Sequence, residues 1–205
     1  DYKTGFLAGA SVGDGYIGRY HYPGTSKQNH FGLVGDDEML DTFKIYSEDL
    51  GLEVIEGKFN GGKTYPNVTR KVRTNRKAQV DYLEDISYPE SASYHYKRGF
   101  LAGFYDADGT CDRNSVRFCN RDVNVSMRLA EYLDEMDFRV TVEFYQGQHS
   151  GLLLLGGQSE KIRFFSLVRP KVSHKAPVFD LGMGNDFAVV VSVIPVGERE
   201  VYDIQ

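Results

Sequence analysis

A five-residue string occurs twice in this chain, and the repeat constrains the fold more than any other feature. Gly5-Phe6-Leu7-Ala8-Gly9 returns as Gly99-Phe100-Leu101-Ala102-Gly103, an offset of 94, and each copy runs on to an Asp-Gly pair, Asp14-Gly15 and Asp108-Gly109. The correspondence continues downstream. Asp36 through Val54 lines up with Asp122 through Val140 at an offset of 86, and Val80-Asp81-Tyr82-Leu83 with Ile162-Arg163-Phe164-Phe165 at 82. Order is kept while only loops shorten, as expected of a duplicated unit. The 205 residues, at about 150 per domain, allow one or two domains. The expected division is residues 1–92, residues 93–177, and an extension over 178–205 that has no counterpart in the first copy.

Each copy carries the same coarse pattern. A first helix (Lys3 to Gly13; Tyr96 to Ala107) is expected to stop at Gly15 or Gly109, read as left-handed residues past a helix end. Two short strands follow, Tyr16 to Tyr22 and His30 to Val34 in the first copy. Asp36 and Asp122 stand where N-caps belong. Met39, Phe43, Tyr46 and Leu50, and likewise Val125, Leu129, Tyr132 and Met136, then recur at helical spacing. Glu53 to Phe59 with Asn67 to Thr74, and Arg139 to Tyr145 with Gly151 to Leu155, read as further strand pairs, each leading into a third, shorter helix. Asn60-Gly61-Gly62-Lys63 lies between two strands and reads as a hairpin turn, not a phosphate loop. The fold class expected is α+β, an α-β-β-α-β-β-α unit used twice with internal pseudo-two-fold symmetry in one monomeric chain.

Small residues fall at every fourth position of both first helices: Gly5, Gly9, Gly13 and Gly99, Gly103, Ala107. Each helical glycine costs about 1 kcal/mol relative to alanine, so the stripe needs a compensating role, and close packing of the two helices along their small faces supplies it. Their C-terminal ends then meet, bringing Asp14 and Asp108 together beside two negative helix ends. Such a site favours a hard divalent cation such as Mg²⁺. A lone Asp-Gly pair is usually a helix-ending turn; it is the duplication that points to a site. Asp106 is matched by Val12 in the first copy and reads as a helix-end or interface residue, not an equal catalytic partner.

Composition limits the alternatives. Hydrophobic residues make up 41%, charged residues 26% and aromatics 13%, which fits a globular protein and excludes disordered and fibrous classes. The two cysteines, Cys111 and Cys119, are too few for a disulfide framework or a zinc site. The longest apolar run, Phe187 to Val196, is far short of a membrane span, and Asp1-Tyr2-Lys3-Thr4 does not open a signal peptide. No membrane partner and a cytoplasmic location are therefore expected. The net charge of −5 argues against nucleic-acid binding, but the charge is segregated. Residues 53–77 hold seven basic residues against two acidic, and residues 139–175 six against two, whereas 36–51 hold one against six. Basic sheets facing a polyanion and acidic helices facing solvent would give this pattern.

Strand alternation nominates residues for the outer sheet face. In Asn67 to Arg73 the valines mark the helix side, leaving Asn67, Thr69, Lys71 and Arg73 outward, with Arg70 breaking the pattern. Ile17 is expected inward, with Gly18, Tyr20 and Tyr22 outward, followed by the polar loop Thr25-Ser26-Lys27-Gln28. Arg117 falls between inward Val116 and Phe118. Polar side chains on such a ribbon can reach major-groove base edges; a solvated face is the ordinary alternative. Leu152 to Leu155 places apolar residues on both faces and fits poorly.

Leu7-Ala8-Gly9-Ala10-Ser11-Val12-Gly13-Asp14-Gly15 and Leu101-Ala102-Gly103-Phe104-Tyr105-Asp106-Ala107-Asp108-Gly109 resemble the paired signature motifs of single-chain LAGLIDADG homing endonucleases. The second copy is close to the consensus; the first agrees at Leu7, Ala8, Gly9, Asp14 and Gly15. The resemblance covers about residues 3 to 177. It implies motif helices at the interface of two half-domains, each offering a four-stranded antiparallel saddle to double-stranded DNA. It also implies that Asp14 and Asp108 bind catalytic Mg²⁺, or another divalent cation such as Mn²⁺, helped by the carbonyls of Gly13 and Ala107. The implied reaction is cleavage of both strands of a long asymmetric site by metal-activated water. Lys175 follows the last helix near where the family often places a basic residue against phosphate charge; a plain surface lysine is the alternative. Arg139 belongs with the DNA-facing candidates, as do Gln146 and Gln148, which would position attacking water.

The segment Val193 to Ile204 is similar to the one that re-enters the splicing domain after an intein endonuclease. Without a terminal His-Asn pair or a nucleophile at Asp1, a domain taken from an intein and unable to splice is expected, the alternative being a plain hairpin. Two readings from other classes stay open: a non-cleaving nucleic-acid-binding protein (a maturase or transcription regulator), and a duplicated structural protein.

Overall fold

The computed structural model describes residues 1–21, 23–24, 27–61, 65–112, 115–145 and 149–177. Tyr22, Ser26, Gln146, Gln148, the side chain of Asn67 and the 178–205 extension lie outside the described residues.

The first half runs α1 (Tyr2–Asp14), β1 (Gly15–Tyr20), β2 (Gln28–Val34), α2 (Asp37–Asp49), β3 (Ile55–Gly61), β4 (Tyr65–Thr74) and α3 (Lys77–Ser87). The second repeats it as α4 (Tyr94–Asp108), β5 (Gly109–Cys111), β6 (Val116–Asn120), α5 (Val123–Asp134), β7 (Val140–Tyr145), β8 (His149–Leu154) and α6 (Gly157–Val168), and a single 3₁₀ turn follows at Ser173–Lys175. Each half forms a four-stranded antiparallel sheet, ordered β1-β2-β4-β3 and β5-β6-β8-β7. The expected α+β architecture is therefore present in both halves.

The caps form as their chemistry requires. Asp36 and Asp122 accept the backbone N–H of Glu38 and Asn124 at the starts of α2 and α5, satisfying donors that a helix leaves orphaned. One expectation fails. Gly15 and Gly109 are not left-handed; their φ values of −80° and −84° are extended, because each is the first residue of a strand. Glycine is required there by space: a β-carbon would come within 2.4 Å of the Ser11 carbonyl oxygen at Gly15 and 2.5 Å of the Tyr105 carbonyl oxygen at Gly109.

The core lies between each sheet and its helices. Phe31 stacks on Phe43 in the first half, with ring centroids 5.7 Å apart, and Tyr105 and Phe164 each pack edge to face on Phe118 in the second. Leu50 leaves the α2 stripe and caps its C-terminus, 36% exposed. Ile17 shares the helix-side face with Phe31, its register partner, yet is 39% exposed because β1 is an edge strand. Alternation also resolves the leucine run: Leu152 and Leu154 are buried, Leu153 lies on the outer face beside Arg117 and Thr141, and Leu155 falls outside the strand.

Candidate metal centre and nucleic-acid interface

The glycine stripes meet as expected, and reciprocally. A β-carbon at Gly5 or Gly9 would stand 2.0 Å from the carbonyl oxygen of Tyr96 or Phe100, and one at Gly99 or Gly103 would stand 2.0 or 2.1 Å from that of Tyr2 or Phe6. Tyr96 and Phe100 are the repeat equivalents of Tyr2 and Phe6, so the contact is self-complementary, as a two-fold interface must be. Farther along, a β-carbon at Gly13 would stand 2.4 Å from that of Ala107 and 3.7 Å from the Asp108 carboxylate. The backbones therefore stay in contact down to the last turn, where both acids sit.

Burial and the neighbouring Asp108 push the Asp14 carboxyl up to about 6, with Lys175 opposing. Asp108 is raised by burial as well, while the side-chain amide of Asn120, 3.3 Å away, and Lys175 pull it down. Val12, Gly13, Asp108, Cys119, Asn120 and Arg121 line a shallow cleft at this point. The surroundings of the two acids are not equivalent. Asp14 faces Gly35, where a β-carbon would approach its carboxylate to 3.3 Å, whereas Asp108 receives the Asn120 bond.

This donor set suits a hard divalent ion. Two half-buried carboxylates, both raised by burial and Asp14 also by its neighbour, form a negative site that a cation relieves, and carboxylate with carbonyl oxygen is the ligand chemistry of Mg²⁺ or Mn²⁺. Among the described residues no cluster of three or more His, Cys, Asp or Glu groups could hold a metal. A hard ion held by two carboxylates would complete its shell with water and an incoming anion.

The segment after α6 crosses from the second half to the first. Tyr2 Oη donates to the carbonyls of Val168 and Arg169, both at 3.0 Å. Asp106, 1% exposed, accepts the amides of Lys171 and Val172 at 2.8–3.0 Å. Ser173 Oγ donates to Glu38 at 2.7 Å, and His174 lies 3.4 Å from Asp36. Lys175 Nζ ends on the carbonyls of Asp106 and Ala107, at 2.6 and 2.8 Å, and the Lys175 carbonyl accepts Tyr105 Oη at 2.7 Å. Lys175 is therefore not a plain surface lysine; it lies against the C-terminal end of α4. Asp106 has the structural place expected for it. Its work in tying down the 171–175 segment was not legible, since only the tertiary fold brings residues so distant in sequence together.

On the outer face of the first sheet, Thr69, Lys71 and Arg73 alternate with Arg70, Val72 and Thr74. Gly57 in β3 leaves room for the cationic stems: a β-carbon there would meet Lys71 at 3.3 Å and Arg73 at 3.9 Å. Tyr16 and Tyr20 join this face, their rings covering Gly32 and Gly18, and the His30 ring lies tilted against Tyr20 and bonds Asn75 at 2.8 Å. Lys27 and Gln28 are exposed beside them. Strict alternation from Tyr20 would have found Tyr16. Arg70 breaks the pattern because it belongs to the helix side, where it pairs with Asp37, Asp41 and Glu56 at 3.2, 2.7 and 3.3 Å.

The second outer face is less basic than its charge count suggests. Arg117 and Arg139 are exposed, and by strand register Thr141, Leu153 and Glu143 share their face. Lys161 is buried, Arg163 binds the carbonyls of Met136 and Asp137, and Arg169, Lys171 and Lys175 belong to the crossing segment. No helix among the described residues is long and apolar enough to cross a membrane.

Residues 95–168 match the family described as the LAGLIDADG-like domain. No curated protein sequence matches the chain. Among solved structures, the chain is similar to I-DmoI in complex with DNA and Ca, at 15% identity over 85% of this chain and 95% of that one, with a TM-score of 0.69. I-DmoI, a homing endonuclease, is also similar in its complex with DNA and Mn, with 14% identity, 82% and 96% coverage and a TM-score of 0.65. Full-length DUF199/WhiA from Thermatoga maritima matches at 8% identity over 84% of this chain and 57% of that one, TM-score 0.60. At these identities the likeness is one of fold. The chain has the double-motif LAGLIDADG fold, with a LAGLIDADG-like domain in its second half.

Proposed function

We propose that this protein is a site-specific DNA endonuclease that makes double-strand breaks in a long, asymmetric target by metal-dependent phosphodiester hydrolysis. The observation that carries the reading is the Asp14–Asp108 pair, held by two glycine-striped helices between two four-stranded sheets. Residues 1–92 and 93–177 act as the two half-domains. Asp14 and Asp108 would hold Mg²⁺ or Mn²⁺, with the Gly13 carbonyl beside them and the Ala107 carbonyl shared with Lys175 Nζ. A bound ion supplies charge stabilisation at the phosphate and a water acidic enough to attack it.

The remaining chemistry is the chain's own. Lys175 presents a fixed positive charge where anionic charge grows on the scissile phosphate. Lys71, Arg73, Arg117 and Arg139 anchor the duplex, while Tyr20, Thr69, Lys27 and Gln28 lie where base edges pass, with Asn67 added from the sequence alone. Tyr22, Ser26, Gln146 and Gln148 complete this set from the sequence alone. Lys27 adds to Lys71 and Arg73 at the first sheet, whereas Glu143 shares the face of Arg117 and Arg139 on the second, so the first carries more of the phosphate contact. On sequence alone, residues 178–205 derive from an intein junction and the protein works in the cytoplasm.

The test is cleavage of a randomised double-stranded DNA library in Mg²⁺ by the natural chain and by Asp14→Asn and Asp108→Asn. Mg²⁺-dependent double-strand cuts at one long site, lost in both variants while binding persists, are expected. Specific binding without cutting would make the protein a non-cleaving regulator or maturase on this fold, and neither activity would leave a structural role.

A further inference from the structure

We propose that Asp106 is a positioning residue for Lys175, gripping both ends of the segment that carries the ammonium to the cleavage site. The inference rests on the endonuclease reading and extends it to a residue outside the metal pair. Asp106 is almost wholly buried, and both its carboxylate oxygens are committed to the amides of Lys171 and Val172. Its own backbone carbonyl accepts Lys175 Nζ at 2.6 Å. The Asp106 carboxylate therefore fixes where the segment begins, and the Asp106 and Ala107 carbonyls receive its side chain's end.

The intervening residues do not set the ammonium by themselves. Ser173 and His174 face Glu38 and Asp36 at the start of α2, which draws the segment toward the first half. Released from the Asp106 carboxylate, the segment keeps those contacts and the Tyr105 bond to the Lys175 carbonyl, but its Lys171–Val172 end loses its anchor on α4. The repeat gives an internal comparison: Val12 stands at the position equivalent to Asp106, and a valine cannot accept an amide. The carboxylate is thus present in the half whose trailing segment bonds the motif helix. A buried carboxylate is costly unless its hydrogen bonds are made, and here all three are made to that segment.

Two arms test the assignment, using the full chain and the variants Asp106→Val and Asp106→Asn. The first measures acetylation of Lys175 by an amine-reactive ester, read by mass spectrometry, together with amide exchange at Lys171 and Val172. In the natural chain Lys175 reacts slowly; in Asp106→Val it reacts about ten-fold faster and both amides lose protection. Asp106→Asn, which keeps an acceptor oxygen and the side-chain volume, falls between the two and guards against a simple folding defect. Equal Lys175 reactivity in all three chains overturns the inference whatever the cleavage assay shows.

The second arm is single-turnover cleavage of the DNA site recovered from the library, with binding measured separately. Asp106→Val and Lys175→Met each lower the cleavage rate by roughly 100-fold, the scale seen when one charge-stabilising donor is removed, while binding changes less than about three-fold. The double variant is no slower than the slower single one, because both remove the same positioned ammonium. Multiplying effects would reduce Asp106 to a structural role. A natural chain that cuts no DNA fails the endonuclease reading alone, since the labelling arm still reports whether Asp106 places Lys175.

Discussion

Gly9 of α1 and Phe100 of α4 meet backbone to backbone, so close that a β-carbon on Gly9 would stand 2.0 Å from the Phe100 carbonyl oxygen. Gly103 and Phe6 repeat the contact across the pseudo-two-fold axis at 2.1 Å. A helical backbone cannot yield locally as a flexible side chain can, so α1 and α4 must separate to admit even a methyl group. Gly9→Ala is expected to destabilise the protein by about 3 kcal/mol, the upper end of overpacking costs, despite the gain in helix propensity. Urea unfolding monitored by far-UV circular dichroism checks this, and an unchanged midpoint would contradict the close interface.

The raised carboxyl of Asp14 makes a signed prediction. Its folded value of about 6 lies above the ordinary 3.8, so folding favours the protonated form. That contribution is complete below pH 3.8 and is lost as pH rises through 6. Asp14→Asn removes the penalty: at pH 7.5 the variant should be more stable by about 1 kcal/mol once solvent screening at a half-buried site is allowed for, or roughly 2–4 °C in Tm. The difference should vanish near pH 3.5. Added Mg²⁺ should raise the Tm of the natural chain more than that of the variant.

Arg70 and Lys71 are neighbours with opposite duties. Arg70 pairs with Asp37, Asp41 and Glu56 on the helix side, so Arg70→Met should cost under about 1 kcal/mol of stability and leave DNA affinity nearly unchanged. Lys71→Ala and Arg73→Ala, on the outer face, should leave stability alone, weaken DNA binding, and each lower the salt-dependence slope by about 1. Fluorescence anisotropy across a salt series separates the two outcomes.

The cap at Asp122, whose side chain accepts the Asn124 amide at 2.9 Å, should contribute about 1 kcal/mol. Asp122→Ala should lower the chemical-denaturation midpoint by that amount. Asp122→Ser, which keeps an acceptor, should recover most of it.

Local chemistry and periodicity made much of this protein legible. The repeated glycine stripe located the interface helices, because a run of helical glycines has few physical uses besides close approach. The Asp-Gly pairs located the two acids, and Asp36 and Asp122 located the starts of α2 and α5. These are short-range facts, written within a turn or two of the chain.

What the sequence left undecided concerns groups brought together across large separations. Gly15 and Gly109 looked like left-handed helix ends; the strands that begin there make them extended, and crowding by the preceding turn requires glycine. The basic count in residues 139–175 looked like a DNA face, yet most of those side chains hold carbonyls or form the crossing segment. Lys175 was placed only by a family resemblance, and Asp106 was seen as structural without its partner. Residue type and spacing fixed which elements form, because backbone hydrogen bonding and burial act locally. Only the packed structure decided which charged groups face solvent and which satisfy buried polar atoms, because that depends on residues 65 or more positions away arriving at hydrogen-bonding distance.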